Sequence, residues 1–291
     1  MTNGILLIDK ESGISSAKCV YMLRKKLSIK KIGHAGTLDP LATGLLPLLI
    51  GKATRVSNFL MDEVKVYETL AFFGEKTDSQ DKTGKIIAKS SNLFSKKDLE
   101  MTIQGKFIGD IEQIPPMYSA LKYNGRKLYE LAREGKNVER KKRNIKIYDF
   151  EILSFDFPFA RFKITCSKGT YIRTLVNDLG EELKTFANVH ELRRIKVGDF
   201  HIKDSIKSEN LENIPMVKIK EKIIPIDKAL LNMDKIILDK SNLKKSINGM
   251  TIKLANKNDI ENIRVYVEDE FIGIGKISNN ALKLKRVFYE G

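Results

Sequence analysis

Residues 33–44 read GHAGTLDPLATG, and this segment interrupts the apolar patterns on either side of it. Its three glycines, proline, histidine and acid exclude a long helix and a central strand, so we predict a shaped loop. Leu38, Pro40 and Leu41 surround the carboxylate of Asp39 with apolar groups, which solvate it poorly. An ionised acid in this setting needs a cationic partner. The residue types fit an Asp-Pro turn, capped by Asp39, equally well.

The segments on both sides of this loop alternate between strand-like and helix-like apolar periods. Such alternation is typical of an α+β fold, with a large sheet and flanking helices. Ser15 or Ser16 is expected to cap the first helix, and Ser95 with Asp98 forms a capping box before a later one. Strands are predicted near 4–9, 45–50, 65–74, 144–154 and 160–167, and helices beginning near 16, 53, 95 and 170, with a short one ending at 135.

The chain is predicted to contain two domains. Residues 205–227 mix charges, proline and short apolar pieces, which is typical of a linker, so we place the domain boundary between 205 and 235. The segment that follows contains a short helix near 241–247 and the brief strands MTIKL, IRVYVE, FIGIGKI and LKLKRVF. We therefore expect a large domain over 1–230 and a small β-barrel over 235–291.

The charge of the chain favours a polyanionic partner. Fifty-two Lys and Arg against 37 Asp and Glu give a net charge of +15, which attracts nucleic acid through steering and counterion release. A lysine-rich proteome is the alternative explanation of this charge. Basic runs occur at 24–26 with 30 and 31, at 140–143, and at 193–194, and each fits a solvated face as well as an RNA contact.

The cysteines and histidines offer no metal site. Cys19 and Cys166 lie far apart and form no C-x-x-C pair, which fits a reduced, cytoplasmic setting without disulfides. His34, His190 and His201 show no spacing typical of metal ligands or of a Ser-His-Asp triad. We expect no bound metal.

Two short motifs are interpreted as structural. Gly51-Lys52 lacks the glycine five positions earlier that a phosphate loop needs, and DKTG at 81–84 is predicted to be a polar hairpin turn. The first ten residues carry an acid after only five apolar residues, too few for a secretory signal. The longest apolar run falls far below the ~20 residues that span a bilayer. No membrane role is expected.

Six segments of the chain resemble parts of one family. GHAGTLDPLATGLLPLLIG, at 33–51, resembles the signature of bacterial tRNA pseudouridine-55 synthases of the TruB type. ILLIDKESGISS resembles that family's amino-terminal motif, KVYETLAFFGEKTDSQDKTG its tyrosine strand and CSKGTYIRTLVNDLG its arginine helix. RVYVEDEFIGIGKI and ALKLKRVF look like the family's small RNA-binding PUA domain, with weaker motifs. The resemblance implies the pseudouridine synthase fold, a large mixed and mainly antiparallel sheet, followed by a PUA-like barrel.

The same resemblance implies roles for individual residues. Asp39 matches the catalytic aspartate, Tyr67 the residue that stacks on the target base, and Arg173 the cation paired with the aspartate. From the residue types alone, Tyr67 also fits a core aromatic and Arg173 a surface charge at a helix start. The remaining implied site residues are His34, which enters the T-loop where the base leaves, Tyr171 and Leu192, which complete the pocket, and Lys10 nearby.

One position departs from the family pattern. Glu11 stands where the family usually has proline, which affects the expected shape of the loop beside Lys10. His34 also fits a loop histidine bonded to backbone.

The implied reaction isomerises uridine 55 in the T-loop of tRNA to pseudouridine after base flipping, without a cofactor. Asp39 could attack C1′, attack C6 or remove the C2′ proton. The implied partner is the tRNA T-stem-loop, with no protein partner and a monomeric enzyme. Two other functions fit parts of the sequence. One is a non-catalytic RNA binder in which Asp39 only shapes a loop, and the other is a DNA-binding regulator, for which no recognition-helix motif is present.

Overall fold

The structure is a computed structural model that describes residues 2–289. Its strands are β1 (Gly4–Lys10), β2 (Ile32–His34), β3 (Thr43–Ile50), β4 (Lys65–Phe73), β5 (Glu75–Thr77), β6 (Ile86–Lys89), β7 (Gly109–Gln113), β8 (Lys122–Tyr123), β9 (Arg126–Lys127), β10 (Arg143–Asp156), β11 (Phe159–Cys166), β12 (Ala187–Val197), β13 (Phe200–His201), β14 (Ile206–Lys207), β15 (Lys235–Leu238), β16 (Ile252–Lys253), β17 (Ile260–Val267), β18 (Glu270–Ser278) and β19 (Ala281–Val287). The α-helices are α1 (Ser16–Leu27), α2 (Ser57–Asp62), α3 (Lys96–Lys106), α4 (Leu128–Arg133), α5 (Ile172–Glu182), α6 (Met216–Glu221) and α7 (Leu243–Ile247). Short 3-10 helices lie at Gly51–Val56, Ile202–Asp204, Ser208–Asn210, Asp227–Leu230 and Lys240–Asn242.

The large domain is built on a ten-stranded mixed sheet. Its main path runs β14-β1-β3-β12-β4-β11-β10-β7, with β2 beside β3 and β13 beside β12. The pairings of β1 with β14 and of β3 with β12 are parallel, and the other pairings in this sheet are antiparallel. The α+β fold with a large, mainly antiparallel sheet is thus confirmed.

The sequence explains which faces of the sheet are covered. Alternate residues of β4 are buried, as the period of two in KVYETLAFF predicts. The apolar side of α5 packs on the same face, where its Ile172, Leu175 and Leu179 enter the main core. In contrast, β3 is buried along nearly its whole length, because both of its faces are covered. The start of α5 and the loop before β3 therefore meet above β4.

The predicted helix boundaries are largely confirmed. Ser15 caps α1, and Ser95 and Asp98 form the expected capping box before α3. The helix predicted near 53–61 is instead a 3-10 helix that continues into α2.

β12 was not predicted from the sequence, although this strand lies in the middle of the large sheet. Its segment HELRRIK carries five charged or imidazole side chains, which hide the apolar alternation that predicts a strand. β12 lies between β3 and β4, and it brings Leu192 and Arg194 to the loop that contains Asp39. The short strands β5, β6 and β7 were also missed.

The carboxyl-terminal segment forms a separate five-stranded sheet in the order β15-β17-β18-β19-β16. This sheet encloses its own small apolar cluster, which includes Val265, Ile272 and Ile277. A curled sheet of this kind is consistent with the PUA-like barrel that the sequence predicts. No helix within residues 2–289 is both long and apolar enough to cross a membrane.

The two sheets are joined by a shared apolar cluster. Ile274 and Phe288 of the small sheet pack in one cluster with Val56 and Leu60 of the large domain. Arg55 Nη1 also donates to the carbonyl of Val287 at 2.8 Å. The tail is therefore packed onto the large domain and is not freely tethered.

Replacing Phe288 with alanine tests this junction. Phe288 is buried in the shared cluster, so we expect Phe288→Ala to lower the free energy of unfolding by about 3 kcal/mol. Urea denaturation followed by circular dichroism measures the loss. The control is Leu93→Ala, whose side chain is exposed and should change stability by no more than about 0.5 kcal/mol. A loss at Phe288 no larger than that of the control would show that the two domains are only loosely joined.

Candidate active site

The loop that carries Asp39 is held by bonds to its main chain on both sides of the acid. The hydroxyl of Ser16 donates to the carbonyl of Leu38 at 3.0 Å and accepts from its amide at 2.9 Å. The amide of Gly13 donates to the carbonyl of Pro40 at 2.8 Å. The side chain of Asp39 is 37% exposed, so its carboxylate remains accessible at the mouth of a cleft.

Arg173 pairs with Asp39 from the first turn of α5. Its Nη2 lies 2.9 Å from Asp39 Oδ2, and the arginine side chain is only 4% exposed. The same guanidinium donates to the carbonyl of Ser79 at 2.7 Å and to that of Tyr118 at 2.6 Å. Arg173 therefore ties the Asp39 loop to two other segments. The ion pair orients the carboxylate of Asp39.

Asp81 is a second carboxylate at Arg173. The segment 81–84 does turn between β5 and β6, as predicted, but Asp81 is buried rather than solvated. Its Oδ2 lies 3.4 Å from Arg173 Nη1, and its Oδ1 accepts from Ser79 Oγ at 2.8 Å and from Thr83 Oγ1 at 2.5 Å. The sequence showed the acid but gave no signal that it faces inward. Arg173 is thus shared between two acids.

A cavity of about 330 Å³ opens beside this ion pair. Its walls include five of the seven predicted site residues, namely Asp39, Tyr67, Tyr171, Arg173 and Leu192. A cleft of this size, with mostly apolar walls and one ion pair, is typical of a small-molecule or single-base site.

Two tyrosines and a leucine form the walls around the acid. Tyr67 lies on β4 and is nearly buried, and burial raises the pKa of its phenol, although the charge of Arg194 opposes this. The side chain of Gln113 fixes the backbone of Tyr171 with two bonds, one of 2.8 Å from the amide and one of 3.0 Å to the carbonyl. Burial also raises the pKa of Tyr171. Both phenols are therefore neutral near pH 7.

Lys10 lies beneath the Asp39 loop and is not among the residues that line the cavity. It is fully buried, and its ammonium donates to the carbonyls of Glu11, Ile14 and Pro40 at 2.8, 2.9 and 3.3 Å. Burial is the main reason that its pKa is lowered. Lys10 therefore supports the loop from below.

Glu11, the departure from the family pattern, is bonded to Ser208. Its amide donates to Ser208 Oγ at 3.0 Å, and that hydroxyl donates to Glu11 Oε1 at 3.1 Å. This pair of bonds holds the chain just after Lys10, so a proline is not needed to shape it.

His34 also lies outside the cavity walls, at the end of β2. Burial and then the positive charge of Arg194 lower the pKa of its imidazole, so the ring is neutral near pH 7. Its buried Nδ1 has no hydrogen-bond partner among residues 2–289. A loop histidine that is bonded to the backbone through Nδ1 would show a partner there, and the described residues show none.

Two further cations line the cavity and were not predicted as site residues. Lys65 donates to the carbonyls of Met61 and Glu63, both at 2.5 Å. Burial and then Arg194 lower the pKa of Lys65 to about 8. Of the run 193–194, Arg193 pairs with Asp9 at 2.6 Å and is half-exposed, but Arg194 is 1% exposed. Of the two alternatives for this run, the solvated face is therefore wrong for Arg194.

The described part of the chain contains no cluster of three or more His, Cys, Asp or Glu side chains that could hold a metal ion. The groups that meet in the cavity are one carboxylate paired with Arg173, two further cations, neutral phenols and apolar side chains. Such a set can present a nucleophile or base to a flat ring that is shielded from water.

Comparison with known sequences identifies relatives of nearly the same length. Residues 24–172 match the family described as "TruB family pseudouridylate synthase (N terminal domain)", and residues 173–237 match "tRNA pseudouridylate synthase B C-terminal domain". The tRNA pseudouridine synthase B of Clostridium kluyveri is 42% identical, over 98% of this chain and 99% of the relative. That of Francisella tularensis subsp. novicida is 40% identical, over 98% and 95%.

Solved structures show the same fold at lower identity. A chain of an H/ACA ribonucleoprotein bound to a substrate RNA containing 2′-deoxyuridine aligns with a TM-score of 0.74 at 23% identity, covering 99% of this chain and 85% of its own. A chain of a Cbf5-Nop10-Gar1 complex aligns with a TM-score of 0.74 at 24% identity, with coverage of 98% and 85%.

Proposed function

Because this chain belongs to the TruB family of pseudouridylate synthases and is a tRNA pseudouridine synthase, we propose that it isomerises uridine 55 of the tRNA T-loop through the carboxylate of Asp39. The observation that carries this proposal is the 2.9 Å ion pair between Asp39 and Arg173 at the wall of the cavity. No cofactor enters the proposed reaction. A non-catalytic RNA-binding role is not retained, since the family consists of isomerases.

The proposed chemistry exchanges one bond to the sugar for another. The N1–C1′ bond of uridine breaks, the ring turns within the cavity, and C5 bonds to C1′. C5 then loses its proton and N1 gains one, so no atom is gained or lost overall. Asp39 supplies the oxygen that traps C1′, adds to C6 or removes the C2′ proton, and each of these routes needs an unprotonated carboxylate.

The walls of the cavity serve the rotation of the ring. Tyr67 offers a flat, neutral platform on which a base can stack. Tyr171 and Leu192 complete the apolar enclosure and exclude water from the reacting sugar. Arg173 orients Asp39, and Lys10 supports the loop without touching the base.

The target base has to leave the T-loop stack before Asp39 can reach it. Flipping costs a few kcal/mol, which a side chain that fills the vacancy can offset. We assign this part to His34, because its ring is neutral near pH 7 and its Nδ1 is unpartnered within the described chain.

Binding of the T-arm is assigned to both domains. We divide the chain into a catalytic domain over 1–230 and an RNA-binding domain over 235–291, and we propose that one protomer suffices for activity. The net charge of +15 supplies the general attraction to RNA.

The test of this function is to incubate the purified protein with unmodified tRNA and to map pseudouridine by carbodiimide treatment and primer extension. We expect one stop, at position 55. A transcript with cytidine at position 55 is the control and should give no stop. Modification of a different uridine would contradict the proposed target.

Substituting Lys30 and Lys31 tests where the T-arm backbone binds. Both are exposed and lie just before β2, which ends at His34. We expect Lys30→Ala/Lys31→Ala to weaken tRNA binding and to reduce the slope of log affinity against log salt by roughly 1.5, because each lost phosphate contact removes about 0.7–0.9. Filter binding across a salt series measures this slope.

The matched control replaces the consecutive, exposed lysines Lys96 and Lys97 on α3. It removes the same charge from a different surface and should leave the salt slope unchanged. Equal slopes for the two double variants would show that the surface before β2 does not contact the RNA backbone.

A further inference from the structure

The side chain of Arg194 forms hydrogen bonds to the loop that carries Asp39. Its Nε donates to the carbonyl of Leu45 at 2.8 Å, its Nη2 to Gly36 at 3.0 Å and its Nη1 to Thr37 at 3.5 Å. These carbonyls lie on both sides of Asp39. The planar fork of a guanidinium can hold several acceptors in one fixed arrangement, which a lysine ammonium cannot do.

The backbone of Arg194 holds the same segment. Arg194 pairs in parallel register with Gly44, at the point where the loop enters β3. A Cβ at Gly44 would lie 2.3 Å from the carbonyl oxygen of Arg194, and the φ of Gly44 is +103°. Only glycine allows this close approach. The strand and the side chain of Arg194 therefore fix both ends of the loop.

Arg194 also lies beside the stacking platform. In the pairing of β12 with β4, Arg194 is opposite Tyr67, and both line the cavity. One side chain thus connects the loop that presents the carboxylate with the strand that presents the ring.

The charge of Arg194 has no carboxylate partner among residues 2–289. Its described hydrogen-bond partners are main-chain carbonyls and the phenol of Tyr67, and its positive charge lowers the pKa values of Lys65 and His34. A buried cation without an acid is costly, and an apolar residue of similar size would be stabilising if packing were its only purpose. The guanidinium donates to several carbonyls of the loop at once, and this indicates that Arg194 does more than stabilise the fold.

We propose that Arg194 is a positioning residue for the isomerisation, which sets the distance between the carboxylate of Asp39 and the ring of Tyr67. This inference rests on the proposed role of Asp39. It predicts that loss of the fork slows the chemical step after tRNA has bound, because a displacement of about 1 Å at a reacting group can cost about 100-fold in rate.

Single-turnover kinetics with excess enzyme separate this role from a purely structural one. The rate constant at saturating enzyme reports chemistry in the bound complex, and its dependence on enzyme concentration reports affinity. Circular dichroism of the same preparation reports whether the variant is folded. For Arg194→Lys and Arg194→Met we expect a rate constant about 100-fold lower and a tRNA dissociation constant within about threefold of wild type. If Arg194→Met fails to fold, Arg194→Lys still decides the outcome.

Arg193→Met is the matched control, because Arg193 is the adjacent arginine of β12 and pairs with Asp9 away from the cavity. Its rate constant should stay within about threefold of wild type. The inference is overturned if Arg194→Lys retains the wild-type rate constant at saturating enzyme, or if the loss appears only in affinity. Turnover by the wild type in the same assay tests the proposed function separately.

Discussion

Replacing Asp39 with asparagine should abolish pseudouridine formation while leaving tRNA affinity within about tenfold, or roughly 1.4 kcal/mol. Asparagine keeps the shape of the side chain, but it lacks the charged oxygen that each of the three possible routes requires. The rate should fall by at least about 10⁴-fold, the scale seen when a catalytic side chain is removed. Affinity changes little because the RNA contacts are spread over a surface much larger than the cavity.

Tritium release from a T-arm transcript labelled at C5 of uridine measures the rate, since that position loses its hydrogen in the reaction. The control is Asp149→Asn, an exposed acid on β10 that should leave the rate within about threefold of wild type. Turnover by Asp39→Asn comparable to that of the control would end the carboxylate mechanism.

Replacing Arg173 with methionine should damage both activity and stability. Methionine fills similar space, but it leaves Asp81 buried without its cation and Asp39 without its orienting partner. Breaking a buried pair from one side costs about 3 kcal/mol or more in unfolding free energy. We expect the rate to fall by about 10³-fold, as when an electrostatic donor is removed from other active sites.

Urea denaturation and the single-turnover rate are measured on the same preparation. Arg161→Met is the control, because Arg161 pairs with Glu191 at 2.9 Å on the surface, where such a pair contributes no more than about 1 kcal/mol. A loss of stability at position 173 equal to that at 161 would contradict the shared role of Arg173 between two acids.

The strands with regular alternation could be predicted from the sequence, and so could the helices with clear caps. β4 is an example, since its alternate burial follows the period of two in KVYETLAFF. β12 could not be predicted in this way, because its charged side chains are placed by partners from distant segments, such as Asp9 for Arg193 and the 36–45 backbone for Arg194. Local periodicity contains no information about such partners.

In the candidate site, too, some features could be predicted from the sequence and others could not. The resemblance to a family named five of the residues that line the cavity, including Asp39 and Arg173, whose pairing is present in the structure. It did not indicate that Asp81 is buried or that Lys10 bonds only to carbonyls. Both facts depend on burial created by the tertiary fold, and a lone acid in a polar turn or a lysine after a strand looks solvated in sequence.

The loop around Asp39 is held almost entirely by hydrogen bonds to its backbone amides and carbonyls. Ser16, Lys10 and Arg194 all bond to oxygens or amides that every residue type carries. The side chain of Thr37 is exposed, and the bond between Arg194 and Thr37 uses the Thr37 carbonyl instead. The scaffold therefore does not depend on the identity of residue 37, so a substitution there should alter the wall of the cavity without moving the acid.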